Sequence, residues 1–342
     1  MNFIHILKNI CNIEHAENVA DQEEFRDDIF SELNVQINEN EISDVLKNLK
    51  NGKATGIDYL LNEYFHKFRN DFVPLLCVLF NCIFDSGCFP SEWSKGILIP
   101  LHKKGNPNVT NNYRGITIIS NLAKIFTSVL NNRLLKWSTV NNVITDSQFG
   151  FRPGFSTSDA IFALHSLISI FLNAKKKLFC CFVDYKKAFD SVNRFKLFFK
   201  LARSGITGKF LKIVKSLYSD VKACVRYKNS MSDFFSCTNG LMQGEALSPF
   251  LFSLYINDFE MDLISNLCEP VYLQDISLFL LMYADDTVLL SESRDGLQNI
   301  LNQLKIYSDN WDISVNVEKT KIVVFRNGGR LSRDDMWFYE GS

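Results

Sequence analysis

The chain has 342 residues, of which 46% are hydrophobic and 22% are charged, and its formal net charge is −1. This length is enough for two or three structural units with a buried core. No apolar stretch approaches the roughly 20 residues of a membrane span, and the N-terminus lacks the pattern of a secretion signal. We therefore expect a globular, intracellular protein without a membrane partner.

The nine cysteines and five histidines do not indicate a metal site. The cysteines are scattered, no two form a Cys-x-x-Cys pair, and the histidines do not cluster with them. Cys180 and Cys181 lie within an apolar run, where small apolar side chains fill a core. We expect reduced cysteines and no zinc site.

The charge is distributed unevenly along the chain. Between Glu14 and Asp44 there are 11 acidic residues and one basic residue, whereas between Lys175 and Lys228 there are 15 basic and three acidic residues. Local charge, rather than the average, governs phosphate binding. The basic region is thus a candidate nucleic-acid surface, although some of its lysines have the alternative role of solvating helix faces.

The first predicted helix begins near Asn38. Residues 1–37 form an acidic segment without a motif, after which Asn38 and Glu41 have the spacing of a capping box. Apolar residues at helical spacing follow from Ile42. We therefore place a domain boundary between residues 37 and 38.

A hairpin is predicted between Trp93 and Thr117. Its first strand ends in Lys103 and Lys104, and its return strand carries Arg114. Arginine binds phosphate through its bidentate guanidinium group. Surface cations without a ligand are the alternative.

A long helix is predicted from Leu122 to Trp137, followed by a loop and a second helix. Ser156 and Asp159 have capping-box spacing at the start of that second helix. Arg152 lies in the Gly- and Pro-containing loop before it. A phosphate or template contact and a surface role remain open for Arg152.

Three aspartates stand at the ends of apolar runs. Asp184 follows Leu178 to Val183, which has the length and composition of a buried strand. Asp285 and Asp286 interrupt the apolar stretch Leu278 to Leu290, as at the tip of a hairpin. Two adjacent strands would bring the three carboxylates together, as in a two-metal phosphoryl-transfer site. An ordinary Asp-containing turn is the alternative for the hairpin.

The stretches around these aspartates resemble motifs A and C of reverse transcriptases, and more closely those of non-LTR (LINE-type) retrotransposons. Further segments resemble the family in the same order along the chain: Lys53 to Asp58, Trp93 to Gly105, Asn111 to Thr117, Gln148 to Ala160, Asn239 to Phe250 and Ser314 to Phe325. The chain departs from the pattern at Tyr59, where the family often has Gly, and at Gly115, where it usually has Pro. The resemblance implies that Asp184, Asp285 and Asp286 are catalytic and hold two Mg²⁺ ions.

The resemblance also implies contacts with the incoming nucleotide. Lys103 and Arg114 would lie over its triphosphate, and the backbone N–H of Tyr185 would meet a phosphate oxygen. A packing role is the alternative for Tyr185.

Further nucleotide-binding residues are implied in motif A, in the segment Asn239 to Phe250, which resembles motif B, and in the segment Ser314 to Phe325, which resembles motif D. Phe189, five positions after Asp184, would lie under the sugar and exclude a 2′-hydroxyl, with core packing as the alternative. Gln243 would hydrogen-bond the nascent base pair, which Gly240 and Gly244 would let the backbone approach, with a glycine turn followed by a capped helix as the alternative. Lys319 would protonate the departing pyrophosphate, with a surface role as the alternative.

The fold class that the resemblance implies is α+β: a right-hand polymerase with fingers and palm, an antiparallel palm sheet and a missing thumb. Residues 38–342 would be the fingers and palm, truncated at the C-terminus. The expected activity is RNA-directed DNA polymerisation in retrotransposition, with an RNA template, a DNA primer and deoxynucleoside triphosphates as partners. The location would be nuclear if the enzyme acts on chromosomal DNA.

Two alternatives remain at this level. A truncated or decayed element would bind nucleic acid without catalysis, and an intron maturase would share the polymerase core but need a splicing domain. The oligomeric state is left open by the sequence.

Overall fold

The computed structural model describes residues 31–328 and 336–339. Most of the predicted acidic segment, including Cys11, lies outside the described residues. In the described part of the chain, no helix has the length and apolar character needed to cross a membrane.

The described α-helices, in chain order, are α1 (Glu39–Lys47), α2 (Asn62–Lys67), α3 (Arg69–Ser86), α4 (Asn121–Val140), α5 (Thr157–Asn173), α6 (Ala188–Ser191), α7 (Arg194–Arg203), α8 (Gly208–Leu217), α9 (Ser248–Ile256), α10 (Phe259–Ser265) and α11 (Arg294–Asn310). Short 3₁₀ helices lie at Ser31–Asn34, Ser91–Ser94 and Thr110–Asn112.

Both predicted capping boxes are present. At the start of α1, the N–H of Glu41 donates to the side-chain oxygen of Asn38 over 3.1 Å, and the N–H of Asn38 donates to the Glu41 carboxylate over 2.9 Å. At the start of α5, the N–H of Ser156 donates to the Asp159 carboxylate over 2.7 Å. These bonds satisfy backbone donors that have no partner within the helix.

The strands are β1 (Lys95–His102), β2 (Tyr113–Ile118), β3 (Leu178–Val183), β4 (Lys222–Tyr227), β5 (Ser230–Met231), β6 (Phe235–Ser236), β7 (Val271–Leu273), β8 (Ile276–Leu278), β9 (Leu280–Tyr283), β10 (Asp286–Ser291) and β11 (Lys321–Phe325). The fingers sheet has the order β2-β1-β4-β5, with β6 also paired to β4; β1 runs antiparallel to β2 and parallel to β4. The palm sheet has the order β11-β3-β10-β9, and its strand pairs are all antiparallel. β7 and β8 form a separate hairpin.

The palm sheet is covered on both faces, which explains why β3 is a continuous apolar run. Phe179 and Cys181 on β3 belong to the main core, whereas Leu178 and Cys180 pack with Leu167 of α5 in a second, smaller core. Alternate residues of a strand point to opposite faces, so burial on both faces removes the polar alternation of a half-exposed strand.

The folded body begins before the predicted boundary at residue 38. Leu33 and Ile37 are 1% and 2% exposed and belong to the main core. Their side chains give no helical or strand period over so short a stretch, so the sequence pattern did not reveal their burial.

Candidate active site

The three predicted aspartates lie at one end of two adjacent strands. In the antiparallel pair β3 and β10, Val183 stands opposite Thr287, so Asp184 follows opposite Asp286. Tyr283 pairs with Asp286 across the hairpin, which leaves Ala284 and Asp285 as its two-residue tip. The expected adjacency of the strands is therefore observed, while metal binding by the carboxylates stays a prediction.

The negative charge at this end of the sheet is only partly compensated. The Asp286 side chain is exposed, and partial desolvation, followed by repulsion from Asp285 and Asp184, raises its pKa. Divalent cations relieve such repulsion. Among the described residues, no three carboxylate, imidazole or thiol groups are already grouped closely enough to hold one ion.

The turn before β11 holds Asp184 from one side. The Asn316 side chain donates to Oδ2 of Asp184 over 2.9 Å, and the N–H of Asn316 donates to the Asp184 carbonyl over 2.7 Å. The N–H of Asp184 donates to the Thr320 hydroxyl over 3.2 Å. Nζ of Lys319 lies 3.7 Å from the same Oδ2. Asn316, Lys319 and Thr320 all lie in the segment Ser314 to Phe325 that resembles the family, and the resemblance did not predict the bonds of Asn316 and Thr320 to Asp184.

The predicted fingers hairpin is present and exposes its cations. Lys103 directly follows β1, where its N–H donates to the Asn112 carbonyl over 2.8 Å. Arg114 lies on β2 opposite Leu101. The side chains of Lys103 and Arg114 are both exposed, so they are accessible to a ligand, and their contact with a triphosphate stays a prediction.

Tyr185 and Phe189 differ in their access to the site. Tyr185 is 8% exposed, and burial raises the pKa of its hydroxyl group, so its side chain packs in the core. Phe189 on α6 is half-buried and stacks on Phe252 of α9, with ring centroids 4.7 Å apart. The sugar contact of Phe189 and the backbone contact of Tyr185 stay predictions.

The loop of motif B packs against α6 and β2. Gln243 donates from its side chain to Asp190 over 2.8 Å, and its carbonyl accepts from the N–H of Thr117 over 2.8 Å. Gly244 has φ +121°, and a Cβ there would lie 2.3 Å from the Thr117 carbonyl oxygen. Gly240 has φ +80°, and a Cβ there would lie 2.7 Å from the Asp190 carbonyl oxygen. Contacts within the protein thus require both glycines, and the predicted base-pair contacts of Gln243 and the two glycines remain predictions.

Two buried charged side chains fix this loop and the helix after it. Arg194 donates to the carbonyls of Gly240, Cys237 and Asn239 over 2.9, 2.7 and 3.2 Å. Glu245 accepts from the N–H of Ser248 over 2.8 Å and so caps α9, and burial raises the pKa of Glu245. The sequence did not identify either role, since charged residues of this kind are mostly exposed.

Arg152 serves its own loop. Its guanidinium donates to the carbonyls of Thr145 and Gln148 over 3.0 and 3.2 Å and lies 4.4 Å from the centre of the Phe155 ring. These contacts give Arg152 a structural role, which the sequence had left open beside a phosphate contact.

A cavity of 730 Å³ lies between the inner face of the fingers sheet and the motif B loop. Leu98, Gly115 and Val225 line it from the sheet, and Asp190 and Gln243 line it from the opposite side. The three aspartates do not line this cavity. Gln243, which is predicted to contact the nascent base pair, does line it.

A family model described as reverse transcriptase (RNA-dependent DNA polymerase) matches residues 101–336. The chain is 29% identical over 287 residues to the probable RNA-directed DNA polymerase from transposon BS of Drosophila melanogaster, covering 82% of this chain and 31% of the relative. It is 29% identical over 298 residues to the RNA-directed DNA polymerase from mobile element jockey of the same species, covering 84% and 31%. The chain thus spans about a third of the length of these relatives.

Solved structures of telomerase from Candida tropicalis are similar in fold. The apo enzyme truncated from its C-terminal domain matches with a TM-score of 0.52 at 16% identity, covering 70% of this chain and 51% of that one. The enzyme in complex with a TWJ fragment of telomeric RNA matches with a TM-score of 0.51 at 16% identity, covering 76% and 45%. These matches confirm the predicted α+β polymerase fold.

Proposed function

Because this chain belongs to the reverse transcriptase (RNA-dependent DNA polymerase) family, we propose that it adds deoxynucleotides to a DNA 3′ end on an RNA template. The observation that supports this proposal most directly is the position of Asp184 opposite Asp286 at the end of two paired strands, with Asp285 at the adjacent tip. The similarity to polymerases of mobile elements suggests that this reaction serves retrotransposition.

The cofactor we propose for this site is two Mg²⁺ ions, and the three carboxylates would have to move closer together to hold them. Asp184, Asp285 and Asp286 offer the hard carboxylate oxygens that Mg²⁺ prefers, and partial burial, followed by repulsion from Asp285 and Asp184, raises the pKa of Asp286. Asn316 occupies Oδ2 of Asp184, which leaves Oδ1 of that carboxylate for an ion. When bound, the ions would activate the primer 3′-hydroxyl and neutralise the leaving pyrophosphate.

The fingers hairpin supplies the cations that would bind the triphosphate. Lys103 and Arg114 are exposed on this hairpin, and the Arg114 guanidinium can bind two phosphate oxygens at once. In the motif B loop, Gln243 would exchange its present bond to Asp190 for a bond to the nascent base pair. Such binding holds the reacting atoms in line, which is the main contribution of protein side chains to phosphoryl transfer.

Primer extension with and without added Mg²⁺ tests the proposal. Asp285→Asn keeps the side-chain shape and removes one charge. Loss of a residue that only hydrogen-bonds to a metal ligand already lowers activity by about 10- to 100-fold, so loss of a ligand charge should lower extension by more than about 100-fold. Asp275→Asn is the matched control, because Asp275 lies in the turn of the separate β7–β8 hairpin.

The same assay also distinguishes the alternative, in which the chain binds nucleic acid without catalysis. In that case a labelled primer–template would bind with a steep salt dependence, yet no Mg²⁺ concentration would give extension. Equal extension by the wild-type chain and Asp285→Asn would reject the catalytic assignment.

A further inference from the structure

The loop Ser147–Gly150, here the brace loop, pairs with the strand that leads into the catalytic hairpin. The N–H of Met282 donates to the Ser147 carbonyl over 2.7 Å, and the N–H of Phe149 donates to the Met282 carbonyl over 2.8 Å. Gln148 therefore lies alongside Met282 in a short parallel bridge. This pairing brings the Gln148 side chain to the tip that carries Asp285.

The Gln148 amide binds both backbone groups of Ala284. Its Oε1 accepts from the N–H of Ala284 over 3.0 Å and from the N–H of Gly150 over 2.8 Å. Its Nε2 donates to the Ala284 carbonyl over 3.4 Å. The side chain is 0% exposed, so water does not compete for these bonds.

Ala284 needs such support because of its backbone conformation. Its φ is +59°, in the left-handed region that an L residue with a Cβ rarely adopts. Turns of this kind usually carry Gly or Asn at such a position. Since Asp285 follows directly, the conformation of Ala284 sets the direction in which the catalytic carboxylates project.

The contact between the brace loop and the tip is close, and the loop is anchored elsewhere. A Cβ at Gly150 would lie 2.2 Å from the Ala284 nitrogen, so only glycine fits there without a shift of the backbone. The Ser147 hydroxyl donates to the Glu260 carboxylate of α10 over 2.5 Å. The N–H of Thr145 donates to the Asn257 side chain over 2.9 Å. The brace loop and the residues just before it are thus hydrogen-bonded both to the hairpin tip and to the helical segment around α9 and α10.

We infer that Gln148 is a positioning residue: its buried amide fixes the left-handed backbone of Ala284 and thereby orients Asp285 and Asp286 toward the metal ions. This inference rests on the proposed function. It predicts that loss of the amide weakens metal binding at the site, because partners that orient ligands contribute to metal affinity.

Gln148→Met tests the inference, since methionine preserves the length of the side chain and removes its hydrogen bonds. The matched control is Gln303→Met, because Gln303 is also buried, at 8% exposed, and donates to Asp262 away from the site. Binding of Mn²⁺ to the 342-residue chain is followed by electron paramagnetic resonance. Gln148→Met should weaken Mn²⁺ binding by about 10- to 100-fold, and Gln303→Met should not change it.

Amide hydrogen exchange gives a second measurement that needs neither activity nor a variant. In the wild-type chain the Ala284 N–H should exchange far more slowly than that of Asn229, which lies at the exposed turn between β4 and β5. Equal exchange rates would overturn the inference even if Gln148→Met fails to fold. So would unchanged Mn²⁺ affinity in a folded Gln148→Met chain.

Asp285→Asn separates this inference from the proposed function. If Asp285→Asn weakens Mn²⁺ binding while Gln148→Met does not, the positioning role is wrong and the metal site stands. If Asp285→Asn leaves Mn²⁺ binding unchanged, the metal assignment itself is wrong.

Discussion

The ammonium group of Lys319 lies 3.7 Å from Oδ2 of Asp184, so a protein cation occupies the neighbourhood in which we propose that Mg²⁺ binds. The Lys319 side chain is 66% exposed, and exposed ion pairs contribute only about 0 to 1 kcal/mol. Lys319→Gln should therefore tighten Mg²⁺ binding by at most about 5-fold. If Lys319 also protonates pyrophosphate, the extension rate at saturating Mg²⁺ should fall.

A Mg²⁺ titration of the extension rate separates the two effects. Lys321→Gln serves as the control, because Lys321 is exposed nearby on β11 and donates to the Glu318 carbonyl instead. An unchanged rate at saturating Mg²⁺ would contradict the role in pyrophosphate departure.

The sugar contact that the family resemblance implies for Phe189 predicts a change in sugar selection when this side chain is shortened. Phe189→Val shortens the side chain beside the proposed sugar site, so ribonucleotide incorporation should rise relative to deoxynucleotide incorporation. The loss of stacking on Phe252 should also cost about 1 to 2 kcal/mol of stability. Incorporation efficiencies of both nucleotide types, measured side by side, test the prediction.

Phe195→Val is the control for Phe189, because Phe195 is 77% exposed on α7. An unchanged ratio in a folded, active Phe189→Val chain would reject the steric exclusion of the 2′-hydroxyl.

Gly240 and Gly154 offer a matched pair for the packing of the motif B loop. Both have positive φ, +80° and +84°, but a Cβ at Gly240 would lie 2.7 Å from the Asp190 carbonyl oxygen, whereas no atom lies within 4 Å of one at Gly154. Alanine at Gly154 should cost about 1 to 2 kcal/mol from the backbone alone. Gly240→Ala should lower the unfolding free energy by more than this, since the backbones at Gly240 and Asp190 must also move apart.

Denaturant unfolding of the two alanine variants measures this difference. Equal losses of unfolding free energy would show that the loop adjusts freely around Gly240 and would contradict the close packing.

The raised pKa of Asp286 predicts how stability depends on pH. A raised carboxyl pKa means that the folded state binds the proton more tightly, so the stabilisation is present below the ordinary value of 3.8 and is lost as the pH rises through the raised value. Asp286→Asn cannot ionise. Without metal it should therefore melt at a higher temperature than the wild-type chain at neutral pH, with the difference vanishing below pH 3.8.

Added Mg²⁺ should reduce the difference in melting temperature between the two chains, because it stabilises the wild-type chain by binding to its folded state. Asp275→Asn should leave the melting temperature unchanged throughout. A lower melting temperature for metal-free Asp286→Asn at neutral pH would contradict the prediction.

Local features of this protein followed from the sequence by itself. The capping boxes of α1 and α5 and the full extent of β3 agree with the predicted positions. These features depend on residues within a few positions of one another, because caps and side-chain periodicity are local interactions. The order of the motifs further identified the family and its three aspartates.

Other features were decided by the tertiary structure alone. Gln148 meets Ala284 across 136 residues of chain, and Gln243 meets Asp190 across 53. The motif around Gln243 predicted a nucleotide contact and not the bond to Asp190, and the sequence around Gln148 did not predict its burial, because these contacts form only when distant strands and helices pack together. Long-range packing brings the brace loop to the β9–β10 hairpin and places the glycines of the motif B loop against other backbone groups. A buried polar atom needs a hydrogen-bond partner, and the fold can supply that partner from any part of the chain.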